Sequence, residues 1–122
     1  MKFKLTFKQE VGKKRKSVDI LFSADTYAHV EEQFFKYCEE NEIPMSIGEY
    51  VIRPTTITDI IVNKEAGIWY LITCIEEDID GKEFKRYVLI ESDNDINARK
   101  EIEEIVEVKS ISSTKFIDVI CQ

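Results

Sequence analysis

Thr58-Asp59-Ile60-Ile61 and Ile117-Asp118-Val119-Ile120 write one short pattern twice, 59 positions apart. Upstream of each, a glycine turn and a helix start also recur. Val11-Gly12-Lys13 matches Asp80-Gly81-Lys82, and Phe22-Ser23-Ala24 matches Glu91-Ser92-Asp93, both at an offset of 69. The chain therefore reads as a single domain, 1–122, made of internal repeats 1–63 and 68–122. A piece of about 60 residues buries only roughly 60% of its unfolded surface and is marginal alone, so each copy is expected to need the other. The fall in offset from 69 to 59 gives the first copy ten extra residues. They are placed at 45–54, a loop with a short extended piece at Tyr50-Val51-Ile52 and no counterpart in the second copy.

Within each copy the periodicity changes in the same order. Phe3, Leu5 and Phe7 alternate with Lys2, Lys4, Thr6 and Lys8, a strand with one buried face. Val18, Ile20 and Phe22 return after the turn. Asp25 or Thr26 starts a helix whose apolar stripe is Tyr27, Val30, Phe34 and Cys38, and Pro44 prevents its continuation. Thr56 to Val62 is rich in β-branched residues and reads as the closing strand, and 63–67 link the copies. In the second copy Ile68 to Ile75 and Phe84 to Ile90 flank the Asp80-Gly81 turn. Asp93 or Asp95 caps a helix with Ala98, Ile102, Ile105 and Val106 inward. Ser110 to Ser113 is a turn, and Phe116 to Cys121 closes. The expected fold is α+β: two ββαβ repeats related by a pseudo-twofold, a largely antiparallel six-stranded sheet assembly with two helices. In each copy the closing strand is expected beside the first strand, in order 2-1-3.

The net charge of −7 argues against general affinity for nucleic acid. Its distribution is uneven. Residues 1–16 hold seven bases and one acid, net +6, and the rest hold ten bases and 23 acids, net −13. Cys38, Cys74 and Cys121 form no C-x-x-C pair, and each lies among apolar neighbours. An odd, sparse set points to reduced thiols and a cytoplasmic location. No apolar run approaches the ~18 residues of a membrane span, and no signal peptide is visible at the N-terminus.

Most catalytic and metal-binding patterns are missing. The four glycines are too scattered for a phosphate loop, and the acidic runs 78–83 and 91–95 lack the glycine and distal glutamate of a calcium loop. His29, the one histidine, has no sequence neighbour marking a nucleophile or an orienting partner. Asp59 and Asp118 stand at equivalent strand positions, each sharing a strand face with apolar residues. They would form a proton-sharing or cation-binding pair if the fold brought them together. Otherwise they accept hydrogen bonds, or guard a sheet edge. No catalytic residue, metal ligand or cofactor is assigned.

Binding candidates are clearer. Lys2, Lys4 and Lys8 project from one strand face, and Lys13, Lys14, Arg15 and Lys16 crown the adjoining turn. Such a finger fits a phosphate backbone or an acidic protein surface, or guards an edge strand. Trp69 and Tyr70 offer aromatic anchors unless the core takes them.

Trp69-Tyr70, the Asp-Gly-Lys hairpin, Val88-Leu89-Ile90 and a capped acidic helix, preceded by a similar first copy, resemble an uncharacterised two-repeat family of gut-dwelling bacteria and their phages. That resemblance implies a small intracellular protein of phage or mobile-element origin and carries over no catalytic residue. The expected function is non-enzymatic binding of a partner protein, of regulator or inhibitor type, with no membrane association and with homo-oligomerisation left open. The alternatives are a nucleic-acid accessory protein using the basic hairpin, and a cation-dependent enzyme built on Asp59 and Asp118.

Overall fold

The computed structural model describes residues 1–43, 50–63 and 67–120. Two ten-residue strands open the chain, β1 (Lys2–Val11) and β2 (Lys14–Ser23), followed by helix α1 (Tyr27–Glu40). Two short strands follow, β3 (Tyr50–Pro54) and β4 (Asp59–Ile61). The order then repeats: β5 (Ile68–Glu77), β6 (Glu83–Ser92), α2 (Asp95–Glu103), β7 (Glu107–Ser113) and β8 (Phe116–Ile120).

The repeat is thus ββαββ rather than ββαβ. The six-stranded assembly gives way to two four-stranded mixed sheets, β3-β1-β2-β8 and β4-β6-β5-β7. Beside the first strand stands β3 or β7, antiparallel to it, while the closing strands β8 and β4 lie parallel to β2 and β6. Each closing strand has joined the sheet of the other repeat. The compact units are accordingly 1–55 with 115–122, and 56–114, rather than the contiguous repeats.

Chain length explains the exchange. Within one sheet β3 and the closing-strand position are opposite edges running in the same direction, separated by three strand spacings of about 4.8 Å each. A return would cross that distance and also run back along a strand, a connection that takes a dozen or more residues. Only Thr55 to Thr58 separate β3 from β4, and only Thr114 and Lys115 separate β7 from β8. The segment 50–54, expected to have no counterpart, is the equivalent of β7: Ile52 stands opposite Leu5 as Ile111 stands opposite Ile72. Ser110 to Ser113 accordingly belongs to a strand and not a turn. Of the predicted insert, 45–49 falls outside the described residues.

Local chemistry sets the remaining elements. Gly12 (φ 66°) and Gly81 (φ 78°) supply the left-handed backbone that each hairpin turn requires. Thr26 caps α1 and Asn94 caps α2, each accepting from the N–H three residues on; the second cap is the asparagine between the two predicted aspartates. In the first unit Val30, Phe34 and Cys38 of α1 pack on Phe3, Leu5, Phe7, Val18, Ile20 and Phe22. In the second unit Ala98 and Ile102 of α2 pack on Ile72, Cys74, Val88 and Ile90. Tyr27 and Ile105, predicted to face inward, are 49% and 74% exposed.

Candidate functional site

Pairing register aligns the two units position by position. Ile20 faces Asp118 as Val88 faces Asp59, so the two aspartates are equivalent, as the sequence pattern requires. From there Phe7 aligns with Cys74, Gln9 with Glu76 and Val18 with Arg86. The helix caps align Phe34 with Ile102 and Tyr37 with Ile105.

These substitutions produce different interiors. In the first unit Phe34 sits 5.3 Å from Phe7, 6.5 Å from Phe22 and 5.4 Å from Tyr50, ring centroid to centroid. The Tyr37 hydroxyl lies within reach of the Asp118 charge. Burial, then the Asp118 charge, holds the Tyr37 hydroxyl above the ordinary phenol range. Tyr50 donates to Glu31, which likewise raises its hydroxyl.

In the second unit Cys74, Ile90, Ile102 and Ile105 stand where the first has Phe7, Phe22, Phe34 and Tyr37, and a cavity of about 310 Å³ opens between α2 and the β4–β6–β5 face. Its apolar wall includes Ile60, Ile61, Val88, Ile102, Ile105 and Val106. Its polar end is an ion-pair triad. Arg86 Nη2 lies 2.7 Å from Asp59 Oδ2, and Nη1 lies 3.1 Å from both oxygens of Glu76. Thr58 Oγ1 lies 3.1 Å from Asp59 Oδ2 and 3.0 Å from the Tyr87 carbonyl oxygen, so its one proton is shared between two acceptors. Two carboxylates around one guanidinium leave a net −1 there. Cys74, between wall and triad, is buried, and burial raises its thiol. Of this cavity, sequence reading singled out Asp59 alone; the remaining signal was the loss of aromatics at matched positions, which becomes visible only with the true register.

Asp59 and Asp118 lie in different compact units: Asp59 is ion-paired with Arg86, while Asp118 accepts from the Val119 backbone N–H and its charge acts on the Tyr37 hydroxyl. Among the described residues no group of three or more His, Cys, Asp or Glu side chains gathers to hold a metal. His29 lies on α1, its backbone N–H donating to the Thr26 cap. Cys38 is buried, and Cys121 lies outside the described residues.

The basic hairpin gains a shape. β3 covers β1 only over Phe3–Phe7, and β8 covers β2 only over Asp19–Phe22. The pairs Lys8↔Ser17, Gln9↔Lys16, Glu10↔Arg15 and Val11↔Lys14 continue beyond the sheet as a two-stranded ribbon. At about 3.4 Å per residue it extends roughly 13 Å. Lys8, Lys13, Lys14, Arg15 and Lys16 are exposed on it, while Lys2 and Lys4 are half-buried where the sheet is four strands wide. Arg53, on the strand beside Lys4, extends the basic face in a way the sequence did not signal. The ribbon carries net +4 over 8–17, and its counterpart over 75–85 carries net −3. Trp69 is only 5% exposed, and Tyr70 is half-buried against the second core.

No family model, curated protein or solved structure matches the chain. No helix among the described residues is long and apolar enough to cross a membrane.

Proposed function

We propose that the protein is a non-enzymatic binding module, of regulator or inhibitor type, whose cationic β1–β2 ribbon engages an acidic patch on a partner protein. The observation carrying this reading is the cluster of Lys13, Lys14, Arg15 and Lys16, all exposed, at the tip of a ribbon extending beyond its sheet. Outside the ribbon the chain carries net −11. A long polyanion would run past the ribbon and meet that like charge, whereas a compact acidic patch meets only the ribbon. A contact this small belongs with weak, salt-sensitive association.

A second reading, binding of duplex nucleic acid, is favoured by one feature: a two-stranded β-ribbon is a shape a major groove admits. One comparison separates the two. Wild type and the Lys13→Ser/Lys14→Ser/Arg15→Ser/Lys16→Ser variant are immobilised and challenged at low salt with native-cell lysate and, separately, with mixed-sequence DNA and RNA. The partner-protein reading requires a protein retained by wild type and lost from the variant. Nucleic-acid affinity that falls steeply with salt and vanishes in the variant transfers the function to the second reading. Identical retention by both proteins in every arm refutes the role of the ribbon.

A further inference from the structure

We infer that the cavity of the second unit is a binding site for a phenol: an aromatic ring with a hydroxyl that donates to Asp59. The first unit shows how such a site is filled. There the position equivalent to Ile105 is Tyr37, a phenol whose hydroxyl is raised in part by the charge of Asp118, the equivalent of Asp59. The first unit thus places a phenol of its own within reach of its own aspartate. The second unit keeps the aspartate, has lost the phenol, and has also lost the rings equivalent to Phe7 and Phe34, now Cys74 and Ile102.

The space left, about 310 Å³, is at the lower end of small-ligand pockets. Its walls are aliphatic, which suits a flat ring. Its acceptor is prepared, because Arg86 engages Asp59 through Oδ2 at 2.7 Å and so fixes the carboxylate. The net −1 of the triad disfavours carboxylated or phosphorylated ligands. A phenol, neutral below about pH 10, meets no such repulsion while keeping a strong donor.

Ring and hydroxyl are common to a free small phenol and to a tyrosyl side chain on a polypeptide, so the test carries both. The full-length protein is titrated with p-cresol, with toluene and with N-acetyl-tyrosinamide, followed by amide NMR shifts and calorimetry. Binding of p-cresol or of N-acetyl-tyrosinamide is expected, with shifts centred on Asp59, Val88 and Ile102. Binding of p-cresol alone identifies a free phenol as the source, and binding of the tyrosyl compound identifies a side chain. Toluene is expected to bind about tenfold more weakly than p-cresol, the loss of one charge-assisted hydrogen bond. Ile105→Tyr, which restores the residue of the first unit, is expected to fill the site and abolish binding. Absence of binding by both phenols, toluene binding as tightly as p-cresol, or shifts located elsewhere would each overturn the inference. All three are read on the unmodified chain, so they stand even if the variant fails to fold.

Discussion

Truncating equivalent helix residues in the two units should produce unequal losses of stability. Phe34 is 1% exposed and touches four aromatic rings, whereas Ile102 is 2% exposed but borders the open cavity. Phe34→Ala removes about 2–3 kcal/mol of transfer free energy. Its lost ring contacts and the void they leave add about 1–2 kcal/mol, giving roughly 4 kcal/mol. Ile102→Ala removes three carbons, worth about 2.4 kcal/mol by transfer. Its void merges with space already present, so few further contacts are lost, and about 2 kcal/mol is expected. The difference of about 2 kcal/mol corresponds to roughly 8–16 °C in melting temperature for a unit of this size. Urea unfolding gives the global values, and native-state amide exchange assigns each loss to its own unit. Equal losses, or a larger one at Ile102, would refute the assignment of the cavity as under-filled space created by the missing aromatics.

Further expectations concern the caps, the alkaline limit and the thiols. Thr26→Ala and Asn94→Ala should each cost about 1 kcal/mol in chemical denaturation, because each leaves a first-turn N–H without its acceptor. Tyr37 and Tyr50 have hydroxyls raised in the folded state, so their contribution is intact below the ordinary phenol range and is lost as pH rises above about 10. Thermal melts should fall in that window, and Tyr37→Phe should flatten the fall; an unchanged slope in the variant would remove Tyr37 from the account. Cys38 and Cys74 are buried with raised thiols, so alkylation of both should be slow in buffer and fast in denaturant, as followed by mass spectrometry.

The sequence pattern located both hairpins, both helix starts and the equivalence of Asp59 with Asp118, since alternation, glycine turns and caps are local signals. It marks only Tyr50-Val51-Ile52 of β3 as extended, because so short a segment carries little periodicity, and the serines at 110–113, which read as a turn, conceal its counterpart β7. With β3 left out of the sheet, the closing strand is expected beside the first strand and the exchange goes unseen. Trp69-Tyr70 illustrates the same limit at side-chain level: aromatic identity is plain in the sequence, but that Trp69 is only 5% exposed is a property of the fold.

What the sequence alone determined is the α+β class, the two hairpins and the concentration of positive charge in the first of them, all of which rest on residues close together along the chain. Tertiary structure decided which sheet each closing strand joins, how far the charged ribbon extends past its sheet, and that aliphatic replacements leave a cavity against Asp59. Those three depend on distances between strands and on volumes enclosed by residues dozens of positions apart, quantities that no local pattern encodes.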